Sequence, residues 1–332
     1  MNVRKAISHL LDKNTFANTF TGGYGAIVHG PYGLSSWMYR EKKDELSERL
    51  NPYEFSVDAA ERLLVDDGWV YNADGGAYSG GVRYKKLSAE EAAVNGNATY
   101  AVKGDFGEYK TVKKNGAYYM PLALNWCSSD KNPVSDLLVT MLKDAQGTAK
   151  VGMKIDQKIM DFDSLLGYMY RKAPYGEPTF GMFNLATGFT PIYDYAGYWM
   201  PKYSYSNVIL SGVEPCEGAT FTEADKEKYS AEERAAIEGT WRMYMGQGNN
   251  VWLSDQALDD LAWKMVYEAE TNEEFLENWV EYIVRWNELV PEIPLYSNLY
   301  HDVYNAKIGG YVVNPDWTVA DAMLYCYDRS AR

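Results

Sequence analysis

The sequence has few of the residues that build metal, disulfide or redox sites. It contains three cysteines and three histidines among 332 residues, and no C-x-x-C motif. Cys127, Cys216 and Cys326 are too scattered for a cysteine zinc site and too few for a disulfide scaffold. We therefore expect no metal and no cofactor. The pairing state of the three cysteines stays open.

Long apolar runs are also missing. No stretch approaches the roughly 18 consecutive apolar residues that suggest a membrane-spanning helix. The first 20 residues scatter Arg4, Lys5, Asp12 and Lys13 through a helical pattern, which is not a secretion signal. We interpret the chain either as cytoplasmic or as a fragment whose export signal lay upstream.

Basic residues are scarce compared with acidic ones. The chain has 32 Lys and Arg against 46 Asp and Glu, which gives a net charge of −14. A phosphate backbone needs a basic surface, so the charge disfavours nucleic acid as a partner and instead indicates solubility. An apolar fraction of 46%, with 29 Tyr and 10 Trp, is typical of a folded core. The length predicts one large lobe or two domains.

Motifs for catalysis are absent. His9, His29 and His301 lie in neither G-x-S-x-G nor H-E-x-x-H, and the glycines of 22–33 lack phosphate-loop spacing. Asp161 and Asp163 are close enough in sequence to suggest paired glycosidase carboxylates, but Asp163 is better explained as a helix N-cap. We predict that the protein is not an enzyme, and a glycan-active enzyme stays as the alternative of a different class.

The pattern of apolar residues predicts an α/β fold. Helical spacing opens the chain, with Asn14 predicted to cap a second helix. Strands are predicted over 122–126, 153–159 and 179–185, and helices capped by Asn132 and Asp163 separate them. This alternation predicts a parallel, helix-covered sheet. A long helix follows a capping box of Thr271 and Glu274 and ends before Pro291.

Two groups of residues are candidates for ligand contacts. Aromatic residues follow the third strand, where open α/β sheets place their ligand crevice: Phe189, Tyr193, Tyr195, Tyr198 and Trp199. Ser128 and Ser129 end the first strand just before a helix N-terminus, whose N–H groups favour anionic ligand groups. A local capping role for these serines is the simpler alternative.

Three segments resemble the family 5 solute-binding proteins of ABC importers, the dipeptide- and oligopeptide-binding kind. They are the opening V-R-K-A-I through Asp12-Lys13, the stretch Asn51–Trp69, and P-E-I-P-L-Y through Tyr311. The resemblance covers residues 3–75, 121–200 and 257–313. It implies an α/β, periplasmic-binding-protein-like fold (type II, cluster C), with a mixed sheet flanked by helices.

The resemblance also implies a domain organisation. The opening motif lies about halfway along chains of that family, so residues 1–300 are expected to form the second, C-terminal ligand-binding lobe. Residues 76–118 lack periodicity and are interpreted as an insertion in it. Residues 301–332 are expected to return to a first lobe that is missing from this chain, and to be mobile or repacked without it.

The ligand loop of peptide-binding members reads W-x-x-D-Y-x-D-P, and its first Asp grips the amino terminus of the peptide. Here Phe189 replaces the Trp, Ile192 replaces that Asp, and Asp194 stands for the second acidic residue. The ligand-binding residues implied are Phe189, Thr190, Ile192, Tyr193, Asp194 and Trp199, together with Ser128 and Ser129.

The function implied is the substrate-binding component of an ABC importer, which captures an oligopeptide between two lobes and delivers it to a permease. Because Ile192 replaces the amino-group clamp, an oligosaccharide stacked on aromatic residues is the alternative ligand. The intact protein is expected to be extracellular or periplasmic and held to the membrane by a lipid anchor on the missing N-terminus. We expect the lobe alone not to bind tightly, because half of the cleft is missing.

Overall fold

A computed structural model of the chain describes residues 2–95, 110–143, 148–169, 180–189, 195, 227, 230, 231, 233, 255–298, 302–314 and 318–331. The helices are α1 (Asn2–Leu10), α2 (Lys13–Thr21), α3 (Trp37–Arg49), α4 (Val57–Asp66), α5 (Ala89–Asn95), α6 (Pro133–Leu142), α7 (Phe162–Met169), α8 (Gln256–Trp263), α9 (Asn272–Leu289) and α10 (Val319–Met323). A π-helical turn, Lys264–Glu268, extends α8, and a 3-10 turn spans Arg329–Ala331. In the part of the chain described, no helix is long and apolar enough to cross a membrane.

The strands form one central sheet and three small ones. They are β1 (Gly25–Ala26), β2 (Tyr84–Lys86), β3 (Val112–Lys114), β4 (Ala117–Pro121), β5 (Ala123–Ser129), β6 (Thr148–Ala149), β7 (Met153–Met160), β8 (Met182–Phe183), β9 (Ser297–Asn298), β10 (Ile308–Gly309) and β11 (Tyr327–Asp328). The small sheets pair β1 with β9, β10 with β11, and β4 with both β2 and β3.

The central sheet has the strand order β6-β7-β5-β8. β5 is parallel to both neighbours, with Ser129 opposite Met160 on β7 and Cys127 opposite Phe183 on β8. The short β6 is antiparallel to β7. The predicted parallel sheet is therefore confirmed at its centre, and the carboxyl ends of β5, β7 and β8 lie along one edge.

Several predicted helix ends are confirmed by their hydrogen bonds. Asn132 caps α6 with Pro133 in the first turn, and Ser56 caps α4. Gly68 follows α4 with a φ of 86°, a left-handed conformation that suits a residue without Cβ. Thr271 and Glu274 form the expected capping box of α9.

Two predicted caps are wrong because each helix begins earlier than its pattern suggested. α2 is capped by Asp12 and not by Asn14: the Asp12 carboxylate accepts from the N–H of Asn14 at 3.1 Å. α7 is capped by Asp161 and not by Asp163: the Asp161 carboxylate accepts from the Ser164 N–H at 2.9 Å and from its hydroxyl at 2.7 Å. Asp163 lies in the first turn of α7.

Residues 76–118, interpreted as an insertion, include an ordered sheet that a buried arginine joins to the central sheet. Arg83 is 3% exposed and precedes β2. Its guanidinium donates to the carbonyl of Val151 at 2.7 Å and to that of Trp69 at 3.1 Å, and it pairs with the Glu61 carboxylate. The Tyr78 ring stacks on the guanidinium at 3.8 Å. The described part of residues 76–118 is thus fixed to α4 and to the turn before β7.

Two large apolar clusters surround these elements. One packs α3, α8 and α9 together with residues 28–39, around Met38, Leu46, Met265, Trp279, Tyr282, Ile283 and Trp286. The other packs α1, α2, α4 and α6 on β5 and β7, around Ile7, Leu10, Phe16, Leu64, Trp126, Leu138, Met153 and Ile155. Ile293, Leu295 and Tyr296 pack against the second cluster, so the chain that leaves α9 joins it.

The described residues after 301 expose many apolar side chains. β10 and β11 pair with each other, and α10 begins with a capping box of Thr318 and Asp321. Leu324 is 81% exposed and Val303 is 96% exposed. The other large apolar side chains exposed here are Tyr304, Val312, Val313, Val319, Met323, Tyr325 and Tyr327.

We predict that Arg83→Met lowers the free energy of unfolding by about 3 kcal/mol, because it leaves buried carbonyls without donors. Lys86→Met, an exposed change on the neighbouring strand β2, serves as the control and should cost less than about 0.5 kcal/mol. Urea unfolding measures both variants. Equal costs would show that Arg83 does not anchor the insertion.

A second prediction concerns Lys13, which is 6% exposed. Its ammonium donates to the Pro52 carbonyl at 3.1 Å, and burial lowers the pKa of Lys13 from 10.5 to about 8. The unfolded chain then binds more protons between pH 8 and 10.5, so this residue makes stability rise with pH in that window.

The measurement is the difference in unfolding free energy between the wild type and Lys13→Met from about pH 7 to about pH 10.5. Taking the difference cancels the titration of the other lysines and tyrosines. We expect the wild type to gain stability relative to the variant as pH rises. A difference independent of pH would contradict the lowered pKa.

Candidate functional site at the carboxyl edge of the sheet

The carboxyl ends of β5, β7 and β8 bring small polar side chains together. Trp126 on β5 donates from Nε1 to the Asn184 side-chain oxygen at 3.0 Å. The Asn184 amide also exchanges hydrogen bonds with the Ser135 hydroxyl of α6, at 2.9 and 3.2 Å. Asn184 follows β8 directly, so this network fixes the end of β8 to the start of α6.

The two predicted serines belong to the same edge. Ser128 is fully buried, and its hydroxyl accepts from the Gln157 side chain of β7 at 2.8 Å. The Ser129 hydroxyl is half-buried and accepts from the Asn132 side chain at 3.1 Å. Both hydroxyls therefore have local partners, and contact with a ligand stays a prediction for them.

Charged groups of this edge include Lys158 on β7 and residues of the turns that follow β5 and β7. Asp130 and Lys131 face each other at 3.9 Å after β5. The hydrogen bonds from Ser164 hold the pKa of the Asp161 carboxyl below its ordinary value. A glycosidase acid needs the opposite shift, so Asp161 is unsuited to that role.

Apolar side chains are exposed beside the polar network. Ile159 on β7 is 57% exposed, Phe162 at the start of α7 is 51% exposed, and Leu185 after β8 is 40% exposed. The edge thus combines uncharged hydrogen-bonding groups with exposed apolar surface. This combination is typical of sites that bind organic ligands.

The aromatic segment that follows β8 begins at Phe189, which lies against the glycine loop (residues 22–33). Phe189 is half-buried and lies beside Gly33, where an added Cβ would stand 3.7 Å from the Phe189 Cβ. The Ser297 hydroxyl of β9 lies 4.0 Å from the same point and accepts from the Leu34 N–H at 3.3 Å. Phe189, the glycine loop and β9 therefore meet at one place.

Tyr195 fixes the other end of this segment. Its hydroxyl donates to the Pro31 carbonyl at 3.2 Å, and its ring packs edge-on against Tyr282 of α9 at 5.3 Å. The side chain is 1% exposed, and burial raises the pKa of its hydroxyl. Tyr195 is thus part of the core, although its position in the sequence put it among the aromatic ligand candidates.

The other predicted ligand residues lie outside the described part of the chain: Thr190, Ile192, Tyr193, Asp194, Tyr198 and Trp199. Their contacts with a ligand stay predictions. Among the described residues, no group of His, Cys, Asp and Glu side chains could hold a metal ion.

No protein-family profile matches the chain, and no curated protein sequence matches it. Solved structures do. The oligopeptide-binding protein of Thermus thermophilus, complexed with a pentapeptide, matches with a TM-score of 0.57 and 16% identity over 94% of this chain and 40% of its own. The oligopeptide-binding protein AppA of Bacillus subtilis, in complex with a nonapeptide, matches with a TM-score of 0.51 and 13% identity over 98% and 47%.

The chain has the fold of the oligopeptide-binding proteins. NikZ of Campylobacter jejuni, solved with Ni(L-His), is also similar, with a TM-score of 0.50 and 15% identity over 94% of this chain and 44% of its own. The chain spans less than half the length of these structures. The resemblance drawn from sequence motifs and the predicted type II periplasmic-binding-protein fold are therefore confirmed at the level of the fold.

In this oligopeptide-binding-protein fold, sequence reasoning missed Asn184, Gln157 and Ser297 as residues of the site. Asn184 had one usable signal, since it directly follows the end of strand β8. Gln157 shares one face of β7 with Met153, Ile155 and Ile159, so its position predicts a packed residue and gives no signal of a site. Ser297 meets the glycine loop through pairing of β9 with β1, a contact between residues far apart in the chain.

We predict different roles for the two ends of the aromatic segment. Tyr195→Ala should lower the free energy of unfolding by about 3–5 kcal/mol, because it empties a buried aromatic site. Phe189→Ala should cost less than about 1.5 kcal/mol, because that ring is already half-exposed. Chemical unfolding of both variants tests this. Similar costs would place Phe189 in the core as well.

Proposed function

We propose that the chain is part of the substrate-binding component of an ABC importer, and that the intact protein captures an oligopeptide between two lobes. The observation that carries the proposal is the carboxyl edge of the central sheet, within the fold of oligopeptide-binding proteins. In open α/β folds, ligands bind at the carboxyl ends of the strands. We also propose that the chain belongs to the family 5 solute-binding proteins, as its terminal motifs suggest.

The polar network of the edge suits a ligand that carries neutral hydrogen-bonding groups along its length. The side-chain amides of Asn184 and Gln157 and the hydroxyl of Ser129 can each donate and accept hydrogen bonds. A peptide main chain offers N–H and C=O groups in alternation. Ile159, Phe162 and Leu185 supply apolar surface for its side chains. This match supports an oligopeptide as the ligand.

An oligosaccharide is the alternative ligand. It is favoured by Ile192, which stands where peptide-binding members have an amino-group clamp. Hydroxyl-rich ligands also suit neutral amides and aromatic platforms such as Phe189. Binding tests therefore need both ligand classes.

Catalysis on glycans is the less favoured class. The lowered pKa of Asp161 argues against that carboxyl as a general acid. The oligopeptide-binding proteins that share the fold are binding proteins by name. Turnover of an oligosaccharide that is abolished by changing one cleft carboxylate would be needed to favour an enzyme.

We further propose that residues 1–300 form one ligand-binding lobe and that residues 301–332 pack on a second lobe encoded elsewhere in the intact protein. The exposed apolar side chains after residue 301 support this, since such surface is normally covered. The chain's short span relative to the solved structures supports it too. Delivery to a permease, an extracellular or periplasmic location and a lipid anchor complete the proposed arrangement.

The ligand site is tested by thermal shift on the whole gene product. The ligands are a pentapeptide and a nonapeptide, the lengths bound by the two oligopeptide-binding proteins, a panel of oligosaccharides, and Ni(L-His). A ligand that binds only the native state raises Tm by mass action. Peptides alone are expected to raise it. Stabilisation by sugars alone would show that the ligand is an oligosaccharide and not an oligopeptide. If no ligand raised Tm, ligand capture would be contradicted.

Phe162→Ala is expected to weaken peptide binding roughly tenfold, because it removes apolar surface at the carboxyl edge. Phe55→Ala is the matched control, since Phe55 is 48% exposed and lies 5.3 Å from Lys150, at the opposite end of β7. It should leave the Kd unchanged. Calorimetric titration with the stabilising peptide measures both. Equal effects would place the ligand elsewhere.

Leu324→Ser tests the proposed packing of the C-terminal segment. In residues 1–332 alone it should change stability by less than about 0.5 kcal/mol, because Leu324 is 81% exposed. In the whole gene product it should cost about 2 kcal/mol or more, because the side chain is then buried. The same small effect in both proteins would show that this surface stays uncovered.

A further inference from the structure

Val290, the residue after α9, has a backbone conformation that is rare for its type. Its φ of 46° and ψ of 58° lie in the left-handed region, which disfavours β-branched side chains. The residue is 3% exposed, so the left-handed turn is packed inside the protein. Other interactions must hold this turn in place.

Arg4, from the opening helix α1, supplies such interactions. Its Nε donates to the Val290 carbonyl at 2.6 Å, and its Nη2 donates to the Leu289 carbonyl at 3.1 Å. These carbonyls end α9, where the helix dipole is negative and favours a cation. The positive charge of Arg4 is therefore directed at the end of α9.

The segment 291–297 leads from the turn at Val290 to β9, which pairs with β1 in the glycine loop. Further along, Ser297 pairs with Ala26 of β1 and accepts from the Leu34 N–H. Between the turn and Ser297, Tyr296 stacks on Phe20 of α2 at 6.0 Å. We expect a change in the turn to move β9 relative to β1 and to withdraw the Ser297 hydroxyl from Leu34.

We propose that Arg4 is a positioning residue that locks the strained turn at Val290, and thereby places β9 and the Ser297 hydroxyl against the glycine loop at Gly33, where Phe189 also packs. Arg4 lies on α1, and its hydrogen bonds go to the end of α9 and not to the loop. Its effect on the loop passes through the turn and the segment 291–297. This inference about the position of Ser297 does not depend on whether Phe189 contacts a ligand.

The test is hydrogen exchange of the Leu34 amide in the full chain. Arg4→Met should speed this exchange roughly tenfold or more relative to core amides of β5, since the acceptor Ser297 is displaced. Arg49→Met is the control, because Arg49 also binds α9, through Glu281 at 2.6 Å, but far from its end. It should leave Leu34 exchange unchanged. Equal acceleration in both variants, or acceleration throughout β5, would overturn the proposal.

A second comparison separates locking of the turn from ordinary packing. Val290→Ala and Val290→Gly remove nearly the same side chain, but only glycine adopts the left-handed conformation at no steric cost. In the Val290→Gly background, Arg4→Met should barely change Leu34 exchange. In the Val290→Ala background it should still accelerate it. An effect of the same size in both backgrounds would contradict the role of the strained turn.

Arg4→Lys keeps the test decisive if Arg4→Met does not fold. The lysine ammonium can reach one of the two carbonyls, so an intermediate acceleration is expected in the wild-type background and none in the Val290→Gly background. If the Leu34 amide of the Arg4→Lys single variant exchanged at the wild-type rate, the proposal would be overturned. The contact with both carbonyls would then not be needed.

Discussion

The side chain of Asn287, in the last turn of α9, joins segments that have no regular structure to hold them. Its oxygen accepts from the Asn51 N–H at 2.9 Å, and its amide nitrogen donates to the carbonyls of His29 and Asn51 at 2.9 and 3.1 Å. The backbone carbonyl of Asn287 accepts from the Tyr53 hydroxyl. Asn287 is 5% exposed, so these bonds satisfy polar atoms that have little access to water. The hydrogen bonds of Asn287 thus tie the glycine loop and the turn before α4 to the last turn of α9, in addition to the apolar packing there.

Local patterns predicted the elements, and long-range contacts decided how they are used. The capping box of Thr271, the Asn132 cap and the parallel pairing of β5 and β7 follow from period and cap chemistry over a few residues. The roles of Asn287, Arg83 and Arg4 do not, because each partner lies far away in sequence and no periodicity marks it. Tyr195 shows the same limit: an aromatic residue in a loop reads alike whether its ring faces a ligand or the core.

The candidate site has two parts that rest on different supports. At the carboxyl edge of the central sheet, Asn184 and Ser135 fix the strand ends beside exposed Phe162 and Ile159. On the glycine loop, Phe189 lies beside Gly33 and β9, and their geometry depends on α9 through its last residues. A sheet edge and a loop held by one helix end would suit the proposed lobe, in which half of a cleft is formed before the ligand binds.

Native mass spectrometry of the whole gene product, purified from its source under mild conditions, would measure ligand capture without a choice of ligand. We predict a complex that releases oligopeptides of mixed sequence on unfolding, with Phe162→Ala releasing less than Phe55→Ala. Release of an oligosaccharide in place of peptides would contradict the oligopeptide assignment. A protein that carries no ligand and takes up none of the peptides offered would contradict ligand capture itself.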